Sequence, residues 1–320
     1  MTVRRCAKPA MGWDMLITTR ASAAAAVVVA VLASGCDTGF CADGEYPGTV
    51  VLTADGWRID GTQGGLFTTG TPAETFAYAD GSPFERCRVI GSISVRERGA
   101  QVDSDDYPLL EELGFFYTEP DDEGRTDKIV DELAGFDGVT VFGGMAGEST
   151  LASVGSITGF NNVERLDGSL MATALVSGFR SLKEVAGTVR VRGLEGLAQI
   201  KTVGATLHVG SLIDTLELPQ LEDVGGDVII DGTRIAKLGF PALQRVGGSV
   251  DIGGNASLET WTGLSPGAHI FGDFVADANA PVRNSVFVDW LLTSDTIVDG
   301  AIRICGNRPI GEDRVCVEGL

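Results

Sequence analysis

Apolar residues in the middle of this chain keep a fixed rhythm while the polar residues between them change freely. The rhythm is apolar, two free, apolar, two free, apolar, one free, glycine, one free, apolar, one free, apolar. Phe160, Val163, Leu166, Gly168, Leu170 and Ala172 follow it, as do Phe179, Leu182, Val185, Gly187, Val189 and Val191. Leu197, Ile200, Val203, Leu207 and Val209 come next, with Ala205 in the glycine place. Then come Leu218, Leu221, Val224, Gly226, Val228 and Ile230, and after them Phe240, Leu243, Val246, Gly248, Val250 and Ile252. A worn copy holds Leu264, Ile270, Gly272, Phe274 and Ala276. Shorter copies stand at either end, as Val89, Gly91, Ile93 and Val95 in RVIGSISV and as Val298, Gly300, Ile302 and Ile304 in IVDGAIRI.

The central copies are offset by 19, 18, 21 and 22 residues, the length of one turn of a solenoid whose repeats bury their apolar sides only by stacking. Within a turn, the last two aliphatics, two apart, predict a short strand with one buried face. The earlier apolar residues, three apart, predict a tight helical turn or an irregular corner. The repeat glycine is expected where the chain passes from corner into strand, a place for positive φ or close backbone approach. The fold class is therefore mainly β: a parallel β-helix or leucine-rich-repeat-like solenoid with short helical corners. Residues 96 to 159 keep the rhythm poorly, with two or three degenerate turns expected around LLEELGFFY, IVDELAGF and GVTVFGG. Before the solenoid, TVVLTADGWRI (49 to 59) predicts a hairpin within a tether and N-terminal cap over 36–84.

The amino terminus changes the setting. Arg4, Arg5, Lys8 and Arg20 precede the short apolar run ASAAAAVVVAVLASG, the pattern of an export signal over residues 1–35. The run is too short and small-sided for a comfortable membrane span. It ends in LASGC, which resembles the bacterial lipobox and makes Cys36 the expected lipidated first residue of the mature chain. Cys41, Cys87, Cys305 and Cys316 remain, an even number in an exported chain where disulfides persist.

The chain carries a formal net charge of −20, and loss of the signal makes it more negative. That argues against nucleic acid and against adsorption to anionic lipid, both of which need a positive patch. Membrane attachment is then expected through acyl chains alone. The acidic runs DSDD (103 to 106) and PDDEG (120 to 124) lack the alternating carboxylate loop that wraps calcium and predict solvated loops. Only two histidines occur, His208 and His269. No serine lies in G-x-S-x-G and no ligand set has metal spacing, so no catalytic group, metal or cofactor is implied. No Gly-Lys-Ser/Thr follows the repeat glycines, so they are read as architectural.

With the repeat in place, the chain resembles the receptor L domain, a leucine-rich-like right-handed β-helix that also occurs in bacterial lipoproteins. ERCRVIGSISV (85 to 95), a cysteine just ahead of V-x-G-x-I-x-V, carries the resemblance best at the domain entry. It covers roughly 85–305, with residues 306–320 as a C-terminal tail. Ordinary leucine-rich repeats differ by an asparagine ladder, which is expected to be missing here. In the family, cysteines close the solenoid ends, which implies the pairs Cys41–Cys87 and Cys305–Cys316. VRNSVFVDWLL (282 to 292) is expected as a helix whose Val286, Trp290 and Leu291 cover the open end of the core. The family's receptors add a cysteine-rich module, a transmembrane helix and a kinase. None is supplied here, so growth-factor binding does not carry over.

If the aliphatics point inward, the outward residues of the strands are Met171, Arg190, His208, Ile229, Asp251, Val275 and Arg303, with Arg192 and Asp231 two positions beyond Arg190 and Ile229. Arg190, Arg192, His208, Asp231 and Asp251 are thus the candidate ligand face. The expected function is a non-enzymatic binding or adhesion module for an envelope protein or glycan, anchored at the outer membrane or cell surface. A structural lipoprotein without a specific ligand is the alternative, and a polysaccharide-acting β-helix enzyme ranks below both.

Overall fold

The computed structural model describes residues 45–53, 56–60, 74–76, 87–95, 99–120, 129–147, 152–210, 214–232, 234–307 and 316–318, the first three segments by backbone pairing alone. The signal segment, Cys36 and Cys41 lie outside these residues. Among the described residues no helix is long and apolar enough to cross a membrane. The architecture is mainly β, with strands of successive turns stacked in parallel.

One turn shows how the sequence rhythm becomes structure. The chain enters at Phe160, whose carbonyl accepts from the Val163 amide at 3.1 Å, and runs into the two-residue strand Arg165–Leu166. It bends at Asp167–Ser169 and continues as Leu170–Met171 before a third side begins at Leu175–Val176. Leu166 is in register with Val185, and Leu170 with Val189. The register continues through Val203, Val224, Val246 and Ile270 on one inward column and Leu207, Val228, Val250 and Phe274 on the other. All of these are buried, each worth about 1.5–3 kcal/mol relative to exposure.

The corners are tight turns, as the three-residue spacing predicts, and none extends into a helix. Each is a single hydrogen-bonded turn, with Leu182 on Phe179, Ile200 on Leu197, Leu221 on Leu218 and Leu243 on Phe240 at 3.0–3.2 Å. Three-residue spacing suits such a turn because it returns the side chain inward without requiring a second helical hydrogen bond. The same turn joins Tyr107 to Leu110 and Phe136 to Val139, so the degenerate stretch 96–159 keeps the corner half of the rhythm. What it loses is one residue in the strand half. Ile90 and Ile93 register with Leu113 and Phe116, three apart, and then with Phe142 and Met145. Their partners further on, Leu166 and Leu170, are four apart. The inward residue of the first turn is therefore Ile90 rather than Val89, and Gly91 falls one column before Gly168 and Gly187.

The repeat glycines are explained by close approach. None of Gly168, Gly187, Gly226, Gly248, Gly272 and Gly300 has positive φ. At Gly248 a Cβ would fall 2.1 Å from Asp227 Oδ1, which accepts from the Ser249 amide at 2.8 Å. At Gly187 it would fall 2.3 Å from Ser169 Oγ, which accepts from the Thr188 amide at 3.0 Å. A side chain of the preceding turn thus satisfies an amide at the strand bend, and it occupies the space a larger residue would need.

Two ladders run inside the coil. Phe136, Phe160 and Phe179 stack at 5.0 Å between centroids. These residues have φ near 60°, a left-handed conformation costly for a residue with a Cβ and held by the surrounding stack. Asn255, Asn279 and Asn307, at most 2 % exposed, form the second ladder. Asn255 Nδ2 donates to Asn279 Oδ1 at 2.7 Å, and Asn279 Nδ2 donates to Asn307 Oδ1 at 2.9 Å. Their Nδ2 groups also donate to the carbonyls of Ile230, Ile252 and Ala276. An asparagine ladder is therefore present in the last three turns, contrary to expectation, because the chain leaving each strand there exposes a carbonyl that an aliphatic could not satisfy.

Antiparallel strands occur at both ends of the stack, and at the first end Glu74–Phe76 pairs antiparallel with Gly56–Asp60 and so turns back to the stack's own sense. Glu45–Thr53 pairs in parallel with Val89–Val95 and antiparallel with Gly56–Asp60, the hairpin expected at 49 to 59. At the other end Ile302–Cys305 pairs antiparallel with Cys316–Glu318, joined by the Cys305–Cys316 disulfide. Cys87 is fully buried and disulfide-bonded. The helix Asn284–Thr293 packs beside Thr260–Leu264, with Phe287 and Trp290 centroids 5.7 and 5.3 Å from Trp261. Its buried residues are Phe287 and Leu291. Val286, expected to cover the core, is 37 % exposed, because Phe287 and Leu291, four apart, define the face turned inward.

Candidate functional site

From Leu170 onward, each strand on this side that carries inward residues two apart also presents one residue outward between them, since side chains alternate along a strand. The register places Met171 beside Arg190, Arg190 beside His208, and His208 beside Ile229. Ile229 then pairs with Asp251, Asp251 with Val275, and Val275 with Arg303. The expected outward residues thus form one row along the stack, roughly 29 Å long at about 4.8 Å per turn.

A second row runs two positions further along the strands, through Gly210, Asp231, Gly253 and Asp277. Its carboxylates tie the turns together diagonally. Asp231 Oδ1 lies 2.9 Å from His208 Nε2, which donates when it carries the proton. Asp277 Oδ2 lies 3.7 Å from Arg303. Asp251 sits between the two acids. Partial burial pushes its carboxyl above the usual aspartate range, and the Asp231 charge adds to this; Arg303 opposes the shift, and Asp277 adds a smaller push. Asp277 was not among the residues singled out from sequence. Its signal was available, since IID (229 to 231) and VAD (275 to 277) place an aspartate immediately after the inward residue in two turns.

The row is polarised. Arg190 occupies its N-terminal part, with Arg192 just past the strand Val189–Val191, its amide donating to Ala174 O at 3.1 Å. Neither arginine is bonded to a carboxylate among the described residues. The centre holds the His208–Asp231 pair, and the C-terminal part holds Asp251, Asp277 and Arg303. Four of the five residues singled out from sequence, Arg190, His208, Asp231 and Asp251, therefore lie on one side of the coil, and Arg192 follows just past the strand that carries Arg190.

Other chemistry is set by what the remaining groups touch. His269 lies in a different row, on the corner strand His269–Ile270, stacked on Phe271 at 4.0 Å with Nε2 3.0 Å from Asp299. The two histidines thus occupy separate strand segments, each beside its own aspartate. Among the described residues, the one close grouping of potential metal ligands is Cys305, Cys316 and Glu318, and its sulfurs are already joined to each other. DSDD forms a 3-10 turn, Ser104–Asp106, capped by Asp103 Oδ1 accepting from the Asp105 amide at 2.8 Å. Of PDDEG, residues 121 to 124 lie outside the described residues. Compared with known proteins, the chain matches no family model, no curated protein and no solved structure.

Proposed function

We propose that this chain is an exported lipoprotein of the bacterial envelope, anchored through Cys36, whose coil is a right-handed solenoid of the receptor L-domain type. Its activity is binding without catalysis, and the row Arg190, His208, Asp251 with its flanking Arg192, Asp231 and Asp277 is the surface that meets an envelope protein or glycan. The observation that carries this reading is the in-register outward row. Its residues contribute nothing to the apolar columns, yet they line up Arg190, which among the described residues has no carboxylate partner, with Asp251 and the flanking Asp231 and Asp277. Repeat proteins present such extended surfaces to partners, and charge arranged along them selects among partners more than it adds raw affinity.

Two experiments test the two halves. Cys36→Ala should abolish palmitate labelling and release the chain from membranes; retained labelling removes the anchor. Photo-crosslinking on intact cells should yield a defined adduct from a probe placed at Ile229, and Arg190→Ala with Asp251→Ala should diminish that adduct while leaving the fold intact. An adduct unaffected by the double substitution removes this face from consideration.

A further inference from the structure

Two charges on the outward row stand without a counter-ion. His208 lies against Asp231, and Arg303 lies near Asp277. Among the described residues, however, Arg190 meets no carboxylate and Asp251 forms no ion pair. Both reach the surface. The register sets them three rungs apart, with His208 and Ile229 between, a distance of about 14 Å at about 4.8 Å per rung. An arginine side chain does not span that gap, so the two charges cannot pair within one chain. Burial, followed by the Asp231 charge, already holds the Asp251 carboxyl above the ordinary aspartate range, so its charged form gains from an added cation.

The four rungs are complementary to their own reverse. In order they present a cation, an imidazole, an aliphatic and a carboxylate. Turned end for end and laid on a copy of itself, the strip sets each Arg190 against an Asp251 and each Ile229 against a His208 ring. The operation that does this is a twofold axis lying along the strands, midway between the His208 and Ile229 rungs. It makes the contact isologous, so each pairing occurs twice. Strands of the two copies then run in the same sense while their stacks run in opposite senses. Sheets packed face to face lie about 10 Å apart, a gap that an arginine and an aspartate reaching from opposite sides can close. Because the chain carries a net charge of −20, two copies repel one another at long range, and a contact between them has to offset that locally.

We propose that this row joins two copies of the chain face to face about that axis, each Arg190 paired with Asp251 of the other copy. The inference rests on the row being a binding surface and names a second copy as its partner. A single strip of side chains makes an interface at the small end of the specific range, so the dimer is weak, reversible and sensitive to salt.

The test is sedimentation velocity on the full chain in detergent over a concentration series. Wild-type chains should associate as concentration rises and separate as salt is added. Arg190→Asp and Asp251→Arg should each weaken self-association by at least about tenfold, because like charges then face each other at both pairings. Mixing the two variants should restore association to within about threefold of wild type, since every 190–251 contact in the mixed pair again joins unlike charges. Rescue by mixing also excludes misfolding as the cause of the loss. The proposal is overturned if the wild type stays monomeric, if either single substitution leaves association unchanged, or if the mixture associates no better than its components. A monomeric chain whose Ile229 probe still captures a different protein or a glycan on cells overturns the self-pairing alone and leaves the binding face standing. A probe that yields no adduct removes both.

Discussion

Replacing Asn279 with alanine should destabilise the C-terminal turns by about 2–6 kcal/mol. The side chain is fully buried. Its Nδ2 donates to Ile252 O at 2.7 Å and to Asn307 Oδ1 at 2.9 Å, while its Oδ1 accepts from the Asn255 side chain at 2.7 Å and the Asn255 amide at 3.2 Å. Alanine leaves the Ile252 carbonyl and the Asn255 amide without their side-chain partner, at about 1–3 kcal/mol for each buried group left unsatisfied. Asn307 is less affected, because its Oδ1 also accepts from the Asn279 backbone amide, at 2.8 Å, a bond that alanine keeps. Asn255→Ala removes a rung at the end of the ladder, where the Ile230 carbonyl is the main group left orphaned, and should cost about half as much. Because stacked repeats unfold as coupled neighbours, urea melts should be read beside hydrogen exchange at the Asn255 amide. A loss below about 1 kcal/mol with unchanged protection at Asn255 would refute the ladder as a source of stability.

Gly248→Ala should cost about 1–3 kcal/mol, because the new methyl would displace Asp227 from the Ser249 amide. In an Asp227→Ala background most of that cost should vanish, a non-additivity that a double-mutant cycle by denaturant melting measures. Phe160→Ala should destabilise by about 3–5 kcal/mol in the same measurement, with less than additive loss when combined with Phe179→Ala, since the rings stack on each other. Asp251→Asn should stabilise at neutral pH by less than about 1 kcal/mol. The native carboxyl binds its proton more tightly than in the unfolded chain, so the stability it contributes is greatest in acid and falls as pH rises through its raised pKa. The advantage of the asparagine variant should therefore shrink as melts are moved below the ordinary aspartate range. A constant difference across pH would contradict the assignment.

Spacing made the central columns legible, because an inward position repeated every turn admits only apolar residues, and Leu170, Val189, Leu207, Val228 and Val250 obey that rule without exception. The outward row followed from alternation alone and is in register throughout. Residues 96 to 159 were obscured by a single residue. With Ile90 and Ile93 three apart where Leu166 and Leu170 are four apart, a fixed template slides off the strand while the corner at Phe136 and Val139 still fits it. The asparagine ladder escaped because it occupies only the last three turns and sits beyond the strand, where IGGN, ADAN and ICGN share one letter. The helix was expected to cover the core with Val286, and its packing on Trp261 turns Phe287 inward instead. The jump of repeat length from 18 to 21 residues was visible, but not that the strands after it, Thr215–Glu217, Lys237–Phe240 and Thr260–Leu264, form a sheet of their own among the described residues.

The reversal of chain direction at the C-terminal end has a further consequence. A stack of parallel coils is a growing surface, and its last rung offers the same hydrogen-bond register that the rung before it offered, so two copies could join end to end and lengthen without limit. Cys316–Glu318 runs against the stack, and a strand of opposite sense spoils that register for the next coil. The Cys305–Cys316 link holds this strand in place. The reversed strand thus limits the length of the particle, and fibre formation is the failure expected when it is removed.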